Sequence, residues 1–114
     1  MTTPSFDSLV QASCRLLKDE LALLDEADSL ELSLILVGWQ LPEDRLSITR
    51  DFKFDNYFET MAFVNAAAWI AHQEDHHADI ALTYNHCKVT YTTHSVGGLS
   101  LNDFICAAKL NSLF

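Results

Sequence analysis

Apolar residues near the start of the chain recur loosely at helical spacing, and one acidic cluster interrupts them. The spacing predicts a first helix over residues 5–24, and the acidic run at residues 25–28 is interpreted as its end. A second, short helix is predicted over residues 29–36. Ser29 fits the N-cap of this helix, and Gly38 follows it at the position where glycine commonly ends a helix.

Alternating apolar and polar residues further along the chain predict four strands. An extended segment at residues 39–41 is followed by a turn at Pro42 and then by a half-buried strand over residues 46–54. Alternation over residues 80–84 and again over residues 89–93 predicts a hairpin.

Two further helices are predicted around the hairpin. Asn56 and Glu59 resemble a capping box, and an Ala-rich helix is expected from there to about residue 73. Ser100 fits the N-cap of a final helix that ends near residue 111. The apolar residues that the Ala-rich helix is expected to bury are Phe58, Ala62, Ala66, Trp69 and Ile70.

The order of these elements predicts an α+β fold. Strand pairs separated by a helix favour a four-stranded antiparallel sheet with helices packed on one face, preceded by an N-terminal helical extension. The edge strands of such an open sheet expose unpaired backbone groups, so association through an edge or a helix is expected.

Length, charge and cysteine content narrow the possible functions. A chain of 114 residues fits one domain, and its net charge of −9 argues against nucleic acid or an anionic membrane surface as a partner, although a basic protein partner stays possible. The three cysteines form no CxxC pair and resemble reduced core cysteines. The N-terminus shows no export signal, and the apolar stretches are shorter than the roughly 20 residues that span a bilayer, so the cytoplasm is the expected location.

Histidines at the end of the Ala-rich helix are the strongest candidates for chemistry. His76 and His77 are adjacent there, and His94 follows the predicted hairpin. Because imidazole exchanges protons near neutral pH, these three side chains could act as acids and bases on a small organic substrate. Each also has a plain structural explanation: His77 could cap the helix, and His94 could be an exposed residue at the end of a strand.

A metal site and a purely structural acid are two competing interpretations. His72 and His76 are one helical turn apart, as in zinc sites, but the HExxH motif needs Glu where Gln73 stands. Asp75 and Asp79 could still serve as ligands of a nonspecific site, although no metal is expected. Asp103 completes a capping box at the last helix, which explains that acid without a catalytic role.

Taken together, these residues show a pattern that extends over about residues 29–109. An ionisable residue stands four positions before a His-His pair, a small residue follows the pair, and an aromatic residue, a third His and an Asp come later. The matching residues are His72, His76, His77, Ala78, Tyr84, His94 and Asp103. The pattern resembles the pterin-4a-carbinolamine dehydratase family, with flanking likeness at Gly38-Trp39 and Gly98-Leu99-Ser100.

The resemblance divides the chain into an N-terminal helical extension, residues 1–28, and a dehydratase-like domain, residues 29–114. The sequence departs from the family pattern at two positions. Ala78 stands where the family usually has Pro, and His72 stands where Glu is common. The second departure changes a charge near the expected site.

The resemblance also implies an activity. It implies a hydro-lyase, active as a homodimer or homotetramer without metal or redox cofactor, that removes water from a 4a-hydroxytetrahydropterin in tetrahydrobiopterin recycling. His76 and His94 would be acid and base on either side of the C4a–N5 bond, and His77 would hold the hydroxyl or share the acid role. His72 and Asp103 would support them. The residues expected to line the substrate pocket are Asp75, Thr92, Thr93 and Ser95.

Two other function classes stay open. The same fold could serve as a noncatalytic dimerisation, assembly or co-activator module, because a fold does not guarantee its usual activity. A small metal-binding protein is the third hypothesis.

Overall fold

The structure, a computed structural model, describes residues 4–14 and 21–114. Within these ranges, four α-helices, three β-strands and one 3-10 turn follow one another along the chain. They are α1 (Phe6–Gln11), α2 (Glu26–Leu34), β1 (Ile48–Lys53), α3 (Tyr57–Glu74), β2 (Asp79–Leu82), β3 (His86–Tyr91), the 3-10 turn (His94–Val96) and α4 (Leu101–Asn111).

The strands form an antiparallel sheet in the order β1-β3-β2. Ile48 of β1 pairs with Tyr91 of β3, and Leu82 of β2 pairs with Cys87 of β3. The side chains of one face, including Ile48, Cys87 and Tyr91, are buried, whereas Lys88 on the other face is exposed. The alternation along β1 and β3 therefore places the core on one side of the sheet, and the α+β class is confirmed.

The described residues form three strands, so the prediction of a four-stranded sheet is wrong. The segment at residues 39–41 makes only a single bridge, in which Gln40 and Thr49 exchange backbone hydrogen bonds of 2.8 and 3.1 Å. Gly38 enters this segment with a positive φ of 87°, and Pro42 ends it without an N–H to donate. Only one residue pair fits between these two constraints.

The predicted helices near the N-terminus need correction as well. α1 ends at Gln11, where Ala12 turns to an extended conformation, and residues 21–24 are not helical; residues 15–20 of the predicted first helix lie outside the described residues. α2 begins at Glu26 and not at Ser29, because Asp25 is its N-cap and accepts a hydrogen bond from the Asp28 N–H at 2.8 Å. The acidic run thus starts a helix, since negative charge is favoured in a first turn. The division of the chain at residue 28 stays a prediction.

α3 begins as predicted but buries a different face. Asn56 is its N-cap and accepts from the Glu59 N–H at 2.9 Å. Its buried residues are Thr60, Phe63, Ala67 and Ile70. Of the five residues expected to be buried, Ile70 is buried, whereas Phe58 and Trp69 are 83% and 59% exposed. Apolar residues occur on both sides of this helix, so spacing alone could not identify the face that packs inward.

α4 lies at the centre of the molecule. Seven consecutive residues of this helix are buried, from Asn102 to Ala108, and it packs against α1 and α3. A helix enclosed on all sides is apolar around its whole circumference, and two polar residues in its first turn, Asn102 and Asp103, are exceptions to this. Asn102 lines a cleft at this end of α4, and Asp103 bonds to a histidine of the same cleft.

Candidate active site

The end of α3 directs the histidine pair away from the helix. Asp75 has the left-handed conformation, with φ 51° and ψ 42°, and its N–H bonds to the Ala71 carbonyl. The His76 N–H bonds to the same carbonyl at 3.2 Å. Asp tolerates this conformation better than most residues, because its short polar side chain can bond locally. The C-cap is therefore Asp75, and His77 leaves the helix as an exposed residue.

His94 approaches the same region from the other side. β3 ends at Tyr91, two residues earlier than predicted, and His94 begins the 3-10 turn that Gly97 closes with a φ of 73°. Thr93 and Gly98 exchange backbone hydrogen bonds of 2.8 and 3.4 Å across this turn. The turn holds the backbone of His94 in place while its side chain stays exposed.

A cleft of about 390 Å³ lies between these segments. All three histidines predicted to be catalytic and all four residues predicted to bind substrate line it. Three further residues, which the sequence reasoning missed, complete its wall. The full lining is Cys14, Leu21, Asp75, His76, His77, Thr92, Thr93, His94, Ser95 and Asn102.

His76 is held by a buried carboxylate behind the cleft. Asp103 is fully buried, and its Oδ1 lies 2.7 Å from Nε2 of His76. Its Oδ2 accepts hydrogen bonds from the Thr93 hydroxyl at 2.8 Å and from the Ser100 N–H at 2.9 Å. An ionised Asp103 carboxylate can only accept, so Nε2 of His76 would donate to it, and in the neutral imidazole the lone pair would then lie on Nδ1. Asp103 thus caps α4 and also fixes the tautomer of His76.

The ring of Tyr91 forms the floor beneath His76. The two ring centroids are 5.8 Å apart and the planes differ by only 9°. Burial raises the pKa of the Tyr91 phenol well above its ordinary value, so the ring packs as a neutral group. This ring contact and the bond to Asp103 both help to hold the ring of His76 in its orientation.

His72 and Tyr84 match the family pattern but are not among the residues that line the cleft. The His72 ring lies 5.6 Å from the ring of Trp69 on the exposed side of α3. Tyr84 is exposed in the turn between β2 and β3 and stacks on Tyr57 at 6.3 Å.

The N-terminal segment, residues 4–14, contributes one wall of the cleft through Cys14. The Cys14 N–H donates to Oε1 of Glu74 at 2.9 Å, and Nζ of Lys109 donates to the Val10 carbonyl at 2.7 Å. Sγ of Cys14 lies 3.6 Å from Sγ of Cys106, and both thiols are buried. The hydrogen bond with Cys14 and burial together raise the pKa of the Cys106 thiol, so it stays protonated. α3 and α4 therefore hold this segment against the cleft.

Two properties of residues 4–14 and 21–114 complete the description. Within these ranges, no three His, Cys, Asp or Glu side chains are grouped so that they could hold a metal ion. No helix in the same ranges has the length and apolar character needed to cross a membrane.

A family model and individual relatives all indicate the same protein family. A family model described as pterin 4 alpha carbinolamine dehydratase matches residues 22–113. A protein of Nitrosomonas eutropha, 58% identical over 78% of this chain and 76% of its own length, carries the provisional name pterin-4-alpha-carbinolamine dehydratase. A protein of Nitrosospira multiformis with the same provisional name is 47% identical over 96% of each chain.

A solved structure agrees with these relatives. It is a crystal structure described as a transcriptional coactivator/pterin dehydratase from Brucella melitensis, 37% identical to this chain. The match covers 79% of this chain and 96% of that one, with a TM-score of 0.76. The extent of the family match and the identity to full-length relatives show that this chain belongs to the pterin-4-alpha-carbinolamine dehydratase family.

Proposed function

We propose that this chain is a cytoplasmic hydro-lyase that dehydrates 4a-hydroxytetrahydropterins to quinonoid dihydropterins, as part of tetrahydrobiopterin recycling. The observation that carries the proposal is the convergence of His76, His77 and His94 on one cleft, with His76 fixed by Asp103. A scaffold without catalytic activity has no physical need for three titratable rings around one cavity. The cleft volume of about 390 Å³ is within the usual range for small-molecule sites, roughly 300–1,000 Å³.

The reaction needs two proton transfers. The bond between C4a and its hydroxyl oxygen breaks, the oxygen takes a proton and leaves as water, and N5 loses its proton as the C4a–N5 double bond forms. Nδ1 of His76 has the free lone pair that a base needs, so we assign it the N5 proton. His94 protonates the leaving oxygen, and His77 holds the hydroxyl in line. These steps are general acid and base catalysis, and they require no metal or redox cofactor.

The remaining residues of the cleft would orient the substrate. Asp75, Thr92, Thr93 and Ser95 line it beside the histidines and offer both donors and acceptors. The Thr93 hydroxyl is already committed to Asp103, so its contribution to substrate binding would come from its backbone.

A noncatalytic role on the same fold is the second candidate function. The Brucella melitensis structure is described as a transcriptional coactivator as well as a pterin dehydratase. Phe58 and Trp69 also leave an apolar surface exposed on α3, which a partner or a second copy of the chain could cover. The two candidates differ in whether the chain accelerates dehydration.

A direct assay tests the proposal. Chemically generated 4a-hydroxytetrahydropterin is followed by stopped-flow absorbance with and without the protein. His94→Ala should lower turnover by about 10²–10⁴-fold, the usual contribution of one acid or base. Its fold should be unchanged, because His94 is exposed.

His86→Ala is the matched control. His86 lies on β3, and its Nδ1 is 3.1 Å from the carboxylate of Asp51 on β1. It is not among the residues that line the cleft, so His86→Ala should leave turnover close to that of the wild-type protein. Absence of any acceleration by the wild-type protein would favour the noncatalytic role. Wild-type rates in His94→Ala would refute the assignment of His94.

A further inference from the structure

One residue of the cleft wall has a buried polar atom without a hydrogen-bond partner. Asn102 is 3% exposed, and its Oδ1 makes no hydrogen bond. Among the described residues, only Arg45 shares this property, through its Nε, and Arg45 is not part of the cleft lining. Since buried polar side chains are hydrogen-bonded in the large majority of cases, such an atom requires an explanation.

The groups around Asn102 do not supply the missing donor. The Cys14 thiol lies 3.7 Å from the backbone carbonyl of Asn102 and is directed to that atom, not to the side chain. The carboxylate of Asp103, the next residue, only accepts, and its oxygens are bonded to His76, Thr93 and Ser100. Asn102 lines the cleft, and its buried Oδ1 is an acceptor that these neighbours leave unsatisfied.

The position of Asn102 also suits a role in orientation. It is the second residue of α4 and immediately precedes Asp103, which fixes His76. A ligand group bonded to Asn102 would thus be held at a constant distance from the imidazole that is assigned the proton transfer. Short, rigid links of this kind are what positions a substrate for reaction.

We propose that Asn102 is a specificity-determining residue whose Oδ1 accepts a hydrogen bond from an N–H group of the pterin ring system. The inference rests on the proposed function and deepens it, because it names a recognition contact at the same cleft. The class of ligand is a heterocycle that presents a ring or exocyclic N–H donor to this wall. Sites built to bond an N–H discriminate strongly against analogues that lack it, since the protein acceptor is then left unpaired.

Calorimetric titration with 7,8-dihydropterin, a stable reduced pterin, tests the assignment. Asn102→Leu keeps a side chain of similar size and removes the acceptor, so affinity should fall at least tenfold. The Tm of the ligand-free variant should be unchanged or higher, because the variant also removes an unsatisfied polar atom. Asn102→Ala should weaken binding in the same direction, which guards against a folding defect that is specific to leucine.

Asn65→Ala is the control, since Asn65 is an exposed asparagine of α3 that is not among the cleft residues. Wild-type affinity in both Asn102 variants would overturn the assignment, and so would a drop in the ligand-free Tm of Asn102→Leu, which would indicate a structural role. If the wild-type protein binds no 7,8-dihydropterin, the proposed function fails together with this inference. If only the Asn102 variants behave unexpectedly, the inference fails alone.

Discussion

Asp103 is the residue on which the fold and the site depend together. Its carboxylate bonds to His76, to the Thr93 hydroxyl and to the Ser100 N–H, and it is fully buried. One side chain therefore starts α4 and also orients the imidazole in the cleft. The capping-box interpretation and the catalytic interpretation of this acid are compatible, because different oxygens serve the two roles.

Asp103→Asn should lower both stability and turnover. An amide has one oxygen and one N–H₂ group, so a donor would face either His76 or the pair formed by Thr93 and Ser100. An unsatisfied buried group of this kind costs about 1–3 kcal/mol. Turnover should fall at least about tenfold, because an imidazole that loses its orienting carboxylate takes the wrong tautomer. Urea unfolding and the dehydration assay measure the two effects.

Ser100→Ala tests whether the loss of stability and the loss of turnover in Asp103→Asn have separate causes. It removes the hydroxyl that lies 2.7 Å from Thr93 and leaves the bond between Asp103 and His76 intact. Stability should fall while turnover per folded molecule stays near that of the wild-type protein. Equal loss of turnover in the two variants would show that Asp103 does not act through His76.

Cleft residues that form part of a known sequence pattern could be predicted from the sequence. Cleft residues that reach the site only through tertiary contacts could not. His76, His77 and His94 could be named because their spacing matches a known family. Cys14 reaches the cleft by bonding to Glu74, which lies 60 positions further along the chain. Asn102 carries no signal in sequence, because only burial without a partner distinguishes it from other asparagines.

At the scale of elements, local capping signals predicted the starts of α3 and α4 but missed that of α2, where Asp25 and not Ser29 is the N-cap. Asn56 could be recognised as the N-cap of α3, because a cap depends on residues within one turn. The buried face of α3 and the strand at residues 39–41 were predicted incorrectly. α3 has apolar residues on two sides, so its buried face depends on the elements that pack against it. The segment at residues 39–41 is limited to one bridge because it lies between Gly38 and Pro42.

Thr60 shows how α3 is attached to the hairpin. It is fully buried, and its hydroxyl lies 3.0 Å from the carbonyl of Asn56 and 3.0 Å from that of Tyr84, in the turn between β2 and β3. Thr60→Val keeps the shape of the side chain and removes the donor. Urea unfolding should show a loss of about 1–2 kcal/mol, the cost of leaving a partly buried carbonyl without its partner.

Thr60→Ser keeps the hydroxyl and loses a methyl group, so it is the comparison for Thr60→Val. If the bond to Tyr84 holds the hairpin to α3, Thr60→Val should show faster amide exchange than the wild-type protein in the turn between β2 and β3. Thr60→Ser should not. Equal exchange in the two variants would mean that packing of the methyl group, and not the hydroxyl, holds the hairpin to α3.

At the scale of the whole molecule, exposed apolar surface supports the expectation that copies of the chain associate. Phe58 and Trp69 of α3 are 83% and 59% exposed, and Ile80 and Leu82 of β2 are also exposed. β2 is the last strand of the sheet order, so one side of it has unpaired backbone groups. Both features are typical of surfaces that a second copy of the chain covers.

If copies of the chain associate through α3, Trp69→Lys should give a smaller species than the wild-type protein, because a charge would have to be buried at the contact. Light scattering after size exclusion, at micromolar concentration, measures the mass. Leu34→Lys is the control: Leu34 is an apolar residue that is even more exposed, at 76%, but it lies on α2. A wild-type mass equal to one chain would refute self-association, and an unchanged mass in Trp69→Lys would place the contact elsewhere.

The wall formed by Cys14 and Leu21 has a consequence for how such a protein can diverge. Both residues precede the stretch that the family model matches, residues 22–113, whereas the three histidines lie within it. Part of the cleft wall is thus encoded outside the stretch that carries the histidines, although most of the lining residues lie within that stretch. Substitutions at these two positions would reshape one side of the cleft and leave the three histidines in place.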